Sequence, residues 1–370
     1  MSDKKYAFIG LGLIGGSIAK AIRHMDREAE IILYDYHAAG NKADLRPAAL
    51  PDDGVVNHVT GDLNDLSSCN YIFLCAPVLS NSMYLEKLKP VISSNVTITD
   101  VGSVKGDIVN LATKLGLAGC FVGGHPMTGS ELTGYANSNM KILENAYYII
   151  TPCNCEASRK KALELEKLVS SMHAIPLMLD AGKHDEAVSA ISHVPHLIAA
   201  SLVELVREND DENETMRLLA AGGFKDITRI AQSSPKMWHD ICVSNASAIT
   251  ETLSKYISML IQIRDNIQKG NAGYITELFE NSGSYRSSIP NSKGILNRYY
   301  EIYLDIADET GAIATIAALL AQNSISIKNI GIIHNREFEN GVLRIELYDE
   351  KDKVKSMSVL REKSYRIYDR

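Results

Sequence analysis

Cysteine is scarce in this chain. Cys69, Cys75, Cys120, Cys153, Cys155 and Cys242 are scattered over 370 positions, too few and too far apart for a disulfide framework. Cys153-Asn154-Cys155 has the wrong spacing for a CxxC motif, which disfavours redox or metal chemistry there. Basic residues are not in excess either: 38 Lys and Arg face 45 Asp and Glu, a formal net charge of -7. Nucleic acid and anionic membrane surfaces both demand a basic face, so neither is the expected partner. No uninterrupted apolar run reaches the roughly 18 residues that a spanning helix needs, so no membrane association is expected. Met1–Tyr6 leads straight into a strand-like run, so no signal peptide is expected. A reduced, cytoplasmic protein is the expectation. With 45% apolar and 22% charged residues the composition is that of ordinary globular domains. At roughly 100–200 residues per domain, the length suggests two or three of them.

The first 150 residues alternate short apolar runs with helical patterns, the signature of repeated βαβ units and a parallel sheet. Candidate strands are Tyr6–Ile9, Ile31–Tyr34, Tyr71–Cys75, Thr97–Asp100, Phe121–Gly123 and Tyr147–Thr151. A helix over Glu156–His173 and a strand over Ile175–Leu179 follow. From about Asp180 to Gln268 only helical patterns remain, broken at Asn209–Asn213, Gly222-Gly223 and Ser233-Ser234-Pro235. The stripe Leu253, Ile257, Leu260, Ile261 and Ile267 is amphipathic and suits a surface shared with a second copy. Gly283–Asn297, rich in Ser, Gly and Asn, reads as a linker. Beyond it the order strand, helix, two strands, helix, strand makes a ferredoxin-like βαββαβ unit of about 70 residues. The expected domains are a Rossmann-type unit at 1–180, a helical unit at 181–290 and this small unit at 298–370.

Gly10-Leu11-Gly12-Leu13-Ile14-Gly15 fits G-x-G-x-x-G, follows a strand directly and opens a helix, the setting that makes this motif specific. Gly10 permits the tight turn, Gly12 lets backbone approach a pyrophosphate, and Gly15 packs helix on strand. The pyrophosphate would sit on the helix N-terminus, where free N–H groups favour anions. Asp35, at the end of the second strand, would accept hydrogen bonds from the ribose hydroxyls and repel a 2′-phosphate. Tyr36, His37, Ala38 and Ala39 supply no Arg, so NAD is expected rather than NADP. Ala76 and Pro77, just past the strand Tyr71–Cys75, are counted with the cofactor site.

Three further segments carry polar residues that the fold does not require. Asp100-Val101-Gly102-Ser103-Val104-Lys105 follows a strand's carboxyl end, where ligands of open α/β sheets bind. In Gly123–Glu131 a histidine stands between glycines and a proline, so His125 is expected outside any regular element, as a satisfied loop residue or a functional one. In Ser192–Leu197, His193 and His196 share a helix face, a spacing open to a metal. No Cys or Glu nearby completes such a site, and no metal is expected. Arg229, in Phe224–Ala231, is either a surface arginine or one paired with Asp226, or else a bidentate anchor for a substrate carboxylate. Trp238, the only tryptophan, packs in a core or walls the same pocket.

Taken together, Gly10–Gly15, Asp100–Lys105, His125–Glu131, Ser192–His196 and Phe224–Ala231 resemble the prephenate dehydrogenase family over about the first 290 residues. The unit after the linker resembles an ACT domain, and no fused chorismate mutase segment is expected. The resemblance implies oxidative decarboxylation of prephenate to 4-hydroxyphenylpyruvate in tyrosine biosynthesis. Hydride goes to NAD, CO2 leaves, and aromatisation drives the step without a metal or covalent nucleophile. It implies His125 as proton acceptor, Ser103 as a holder of the substrate hydroxyl or of the histidine, and Arg229 on a carboxylate. His196 and Glu131 join the pocket by the same resemblance, with His193 and Trp238 beside them. A homodimer is implied, in which the partner could complete the pocket. An ACT domain implies L-tyrosine as effector near the turn Asp308-Glu309-Thr310-Gly311-Ala312.

Three rivals remain. Arogenate dehydrogenase has the same fold and chemistry. A β-hydroxyacid dehydrogenase would place a catalytic Lys in the helical domain, where Lys183 and Lys225 stand. A non-catalytic NAD or amino-acid sensor would not need Ser103, His125 and Arg229 together.

Overall fold

The computed structural model describes residues 4–35, 53–129, 132–289, 300–306, 309–333 and 341–368. The chain divides into two compact units, Met1–Gly294 and Ile295–Arg370. The first begins with β1 (Lys5–Ile9), α1 (Leu13–Met25), β2 (Glu30–Tyr34), β3 (His58–Thr60), β4 (Tyr71–Leu74), α2 (Val78–Leu88), β5 (Thr97–Asp100) and α3 (Gly106–Lys114). It continues with β6 (Phe121–Pro126), β7 (Tyr147–Pro152), α4 (Glu156–Ser171) and β8 (Ile175–Met178). These strands form one sheet in the order β3-β2-β1-β4-β5-β6-β7-β8. The order reverses between β1 and β4, and in such sheets the crevice beyond the carboxyl ends at that point receives the ligand. This is a Rossmann-like sheet.

Successive residues of the central strands serve two cores. Phe8 and Phe73 stack at 5.0 Å on one face, among Ile18 and Ile22 of α1 and Leu165 of α4. Ile9, Ile72, Leu74 and Ile98 point to the other, against Leu85 and Leu88 of α2 and Ile108 of α3. Burial on both faces explains the continuously apolar strands. Each such side chain contributes about 1.5–3 kcal/mol by leaving water.

One junction departs from the expected parallel sheet. β6 pairs antiparallel with β7. A parallel pair needs a crossover, usually a helix. Among the described residues between these strands there are only the one-turn helices Tyr135–Asn137 and Met140–Ile142. The short strand β3, edge of the sheet beside β2, has no counterpart among the sequence expectations.

The helical region holds α5 (Ala181–Val188), a π-helical turn at Ser189–His193, α6 (Val194–Asn209), α7 (Thr215–Leu219) and α8 (Gly222–Thr228). It then holds α9 (Pro235–Ser244), α10 (Ala246–Gln268) and α11 (Ala272–Ser288). The unbroken helical stretch Ala181–Asn209 is long and apolar enough to cross a membrane by length and composition alone. It carries buried His184, Asp185 and His193, which serve the site described below. The expected linker is a correction: Gly283–Ser288 form the last turns of α11. The helix stops only at Ile289, whose extended backbone is what a following proline imposes. Burial in this region is sparse for one chain. In α10 only Ile249 is buried, in α11 nothing is, and Leu218, Leu219 and Phe279 are each more than 70% exposed. Apolar surface on that scale marks an interaction face.

The second unit contains β9 (Tyr300–Ile306), α12 (Ala312–Gln322), β10 (Ile327–Ile333), β11 (Gly341–Leu347), α13 (Glu350–Glu362) and β12 (Ile367–Tyr368). Its antiparallel sheet has the order β10-β11-β9-β12. Alternate residues Ile302, Leu304 and Ile306 of β9, with Leu343, Ile345 and Leu347 of β11, face Ile316, Leu320 and Leu360 of the two helices.

Candidate active site

The glycine turn between β1 and α1 is shaped by close approach. Gly10 has φ +88, and a Cβ there would stand 3.0 Å from the backbone nitrogen of Ala76. A Cβ at Gly15 would stand 2.9 Å from both Cys75 Cβ and the Gly10 carbonyl oxygen. At Gly12 nothing lies within 4 Å, so the mouth of the turn is open. Gly12 caps α1 without a side-chain hydrogen bond, and no acidic residue occupies the first turn. Uncapped N–H groups facing open space without a competing carboxylate suit a pyrophosphate. Leu11 and Ile14 pack onto the core and fix the turn. Ala76 and Pro77 lie beside it, where the Ala76 N–H donates to Asn81 Oδ1 at 3.1 Å and Pro77 is the N-cap residue of α2. Asp35 directly follows β2, half-buried, and its N–H donates to the Thr60 carbonyl at 2.9 Å.

At the end of β5, Asp100 and Lys105 form a buried ion pair. Lys105 Nζ also donates to the Gly124 carbonyl at 2.8 Å, and the Gly124 N–H donates to Asp100 Oδ1 at 3.1 Å. Gly124 is required here, since a Cβ would lie 2.6 Å from the Asp100 carbonyl oxygen. The next residue is His125. Contrary to the sequence expectation, His125 belongs to a strand, opposite Ile149 of β7. On its other side β6 pairs with β5 only as far as Val122. That leaves Pro126 at the strand's end, where a missing N–H breaks no ladder bond on the open side.

His125 Nδ1 lies 2.8 Å from Nε2 of His184, and His184 Nδ1 lies 2.8 Å from Asp185 Oδ1. Asp185 in turn accepts from the N–H groups of Lys105 at 2.8 Å and Gly106 at 2.7 Å, where α3 begins. Desolvation, then the neighbouring His184, Lys105 and His193, push the His125 pKa well below its usual 6.5. His125 is therefore neutral near pH 7, the form a general base needs. Burial also lowers His193, to about 4. The π turn, a feature frequent at functional sites, ends on His193, 3.1 Å from Asn245 Nδ2. Trp238 joins both helix histidines: its ring stacks on His196 at 4.0 Å and meets His193 edge-on at 6.0 Å.

The structure thus gathers His125, His193, His196 and Trp238. Ser103, half-buried two residues before Lys105, makes no hydrogen bond to His125 among the described residues; His184 occupies that role. The segment Phe224–Ala231 that carries Arg229 is not one continuous α-helix. Instead α8 ends at Thr228, and Arg229 opens the one-turn helix Arg229–Gln232 with an exposed side chain. Lys183 and Lys225 are exposed as well. Glu131 and Asp308 lie outside the described residues. Thr310 and Gly311 lead into α12, with Gly311 at φ +92 capping it and Ala312 first in the helix. Sequence reasoning passed over His184, Asp185 and Asn245. Among the described residues no group of three His, Cys, Asp or Glu could hold a metal.

Comparison with known proteins identifies the family. Residues 18–174 match the family model of the prephenate dehydrogenase nucleotide-binding domain, and residues 180–281 that of its dimerization domain. A prephenate dehydrogenase of Bacillus subtilis is 36% identical over 94% of this chain and 93% of its own length. One from Lactococcus lactis is 33% identical over 96% of this chain and 97% of its own. A crystal structure of the Aquifex aeolicus prephenate dehydrogenase, in complex with hydroxyphenyl propionate and NAD+, superposes with a TM-score of 0.70 at 28% identity. It covers 78% of this chain and 99% of that one. This chain belongs to the prephenate dehydrogenase family.

Proposed function

We propose that the chain is a cytoplasmic homodimer that converts prephenate, with NAD, to 4-hydroxyphenylpyruvate, CO2 and NADH, a step toward L-tyrosine. The observation that carries this reading is His125, held neutral at the carboxyl edge of a sheet whose glycine turn suits a dinucleotide. All six cysteines are free, in keeping with a reducing compartment. NAD, when bound, supplies the acceptor for the hydrogen and two electrons leaving the ring carbon. His125 takes the proton of the ring hydroxyl while the bond to the ring carboxylate breaks and its electron pair enters the ring. The ring oxygen of the aromatic product then takes a proton back, which leaves His125 neutral again. Ser103 orients that hydroxyl, and Arg229 binds a carboxylate of the substrate. His196, His193 and Trp238 line the pocket, and the sequence motif His125–Glu131 assigns Glu131 to the same substrate. The exposed apolar faces of α10 and α11 supply the contact between subunits. The working domain bounds are 1–180, 181–290 and 298–370. The last is a ferredoxin-like ACT domain that binds L-tyrosine, a reading supported by its βαββαβ order and by the open, glycine-capped start of α12.

The test is NADH formation on mixing the protein with prephenate and NAD, with arogenate in a parallel arm. Turnover of prephenate in preference to arogenate is expected. No NADH with either substrate overturns the reading, and turnover of arogenate alone reassigns the substrate.

A further inference from the structure

We propose that His184, anchored by Asp185, is a positioning residue that sets the ring tautomer of His125, so that His125 Nε2 is the atom that accepts the substrate's proton. This rests on the reading of His125 as the base. The argument is a proton count. Asp185 accepts two backbone N–H groups at the start of α3, from Lys105 and Gly106. With two backbone donors on its oxygens, Asp185 stands here as a hydrogen-bond acceptor. An ionised carboxylate only accepts, so its 2.8 Å contact with His184 puts a hydrogen on His184 Nδ1. In a neutral ring the other nitrogen is then bare, and His184 Nε2 must accept. It lies 2.8 Å from His125 Nδ1, which therefore carries the hydrogen. The lone pair of neutral His125 is left on Nε2. Each hydrogen in the row is assigned from the carboxylate outward.

The row is also fixed in space. His184 is 1% exposed, and its ring meets that of His125 at 76° with centroids 5.1 Å apart. A free neutral histidine side chain favours the opposite tautomer, with hydrogen on Nε2, which would turn the accepting atom into a donor. When His125 takes up the proton, its Nδ1–H still donates to His184. The new charge then faces a carboxylate one ring away, and no second proton has to move.

The experiment compares wild type with His184→Leu, which removes the acceptor, and His184→Gln, whose amide oxygen can reach the position of Nε2. The readouts are the nitrogen-15 shifts of His125 at pH 7, kcat, and KM for NAD and prephenate. Wild-type His125 is expected to carry its hydrogen on Nδ1. His184→Leu should move it to Nε2 and lower kcat roughly 10- to 100-fold, part of the roughly 10²–10⁴ that a positioned base supplies. KM for NAD should stay within about 3-fold, since the glycine turn is untouched. His184→Gln should restore the Nδ1 hydrogen and most of the rate. A wild-type ring protonated on Nε2 overturns the proposal, as does a His184→Leu enzyme with unchanged kcat. If His184→Leu fails to fold, the wild-type spectrum and the Gln variant still decide. Absence of any NADH from the wild type would instead sink the proposed function, leaving the tautomer assignment to stand or fall on the spectrum.

Discussion

The ammonium of Lys105 meets the carboxylate of Asp100 in an ion pair whose side chains are 0% and 2% exposed. The pair straps down both neighbouring segments, the one that carries Ser103 and the one that carries His125. Lys105 holds the carbonyl and Asp100 the N–H of Gly124, the residue before His125. Asp100 also accepts from the Gly102 N–H at 2.9 Å, the residue before Ser103. Burial lowers the Lys105 pKa, and Asp100 and Asp185 oppose that shift without cancelling it. A buried pair of this kind need not stabilise more than an apolar one would, but breaking it leaves a charge without compensation.

Lys105→Met should therefore destabilise the first unit by about 3–5 kcal/mol, the usual cost of orphaning a buried charge. Urea unfolding followed by circular dichroism reads this directly. A midpoint within error of wild type would mean that Asp100 is satisfied by Gly102 and Gly124 alone.

His125→Asn should lower kcat by roughly 10²–10⁴ with little change in NAD affinity, since the base is lost and the cofactor turn is not. The pH profile carries the same claim. A base works when neutral, and the pKa of His125 is depressed, so activity is full above the usual 6.5 and persists below it. It then falls as pH drops through the lowered pKa. An acid limb of kcat/KM centred above 6.5 would count against His125 as the group observed.

What could be read in the chain beforehand was whatever local spacing encodes. The glycine turn, Asp35 twenty residues after Gly15, and the alternation of β9 are all short-range patterns. The strand character of Gly124-His125-Pro126 was hidden because it depends on β7, and on Asp100 pressing where a side chain would otherwise stand. His184 was hidden for a similar reason: its partner His125 lies 59 residues away, and Asp185 reaches 80 residues back to Lys105. One signal was available. Ala181, His184, Asp185 and Val188 fall at i, i+3, i+4 and i+7, so a stripe reading places two polar residues on the buried face of α5. Buried polar residues of that kind demand partners.

Arg229→Ala should chiefly raise KM for prephenate. A charge-assisted hydrogen bond contributes about 1.5–3 kcal/mol, which is roughly a 10- to 150-fold change. Because Arg229 is exposed, thermal stability should stay near wild type. A flat KM combined with a lowered Tm would make it a structural arginine.

Asp35→Asn should weaken the preference for NAD over NADP. The substitution removes the charge that repels a 2′-phosphate while keeping an acceptor for a ribose hydroxyl. The measure is the ratio of kcat/KM for the two cofactors. An unchanged ratio would assign ribose recognition to another group.

The C-terminal unit yields the last prediction. It has its own core, built from β9, β11, α12 and α13, and the described residues include no histidine or cysteine. At the start of α12, Gly311 adopts φ +92, and a Cβ there would meet nothing within 4 Å. The first N–H groups of α12 lack a side-chain cap, so a carboxylate could approach them. Removing the chain after Asn297 leaves the sheet unit and helices α1 to α11 intact, since the cut falls outside every described element of that unit. The truncated enzyme should therefore keep its kcat while losing inhibition by L-tyrosine. Inhibition curves of both forms at fixed prephenate, spanning micromolar to millimolar tyrosine, decide the matter. Equal inhibition in the two would place tyrosine in the active site as a mimic of the aromatic product, and the C-terminal unit would then be an assembly device.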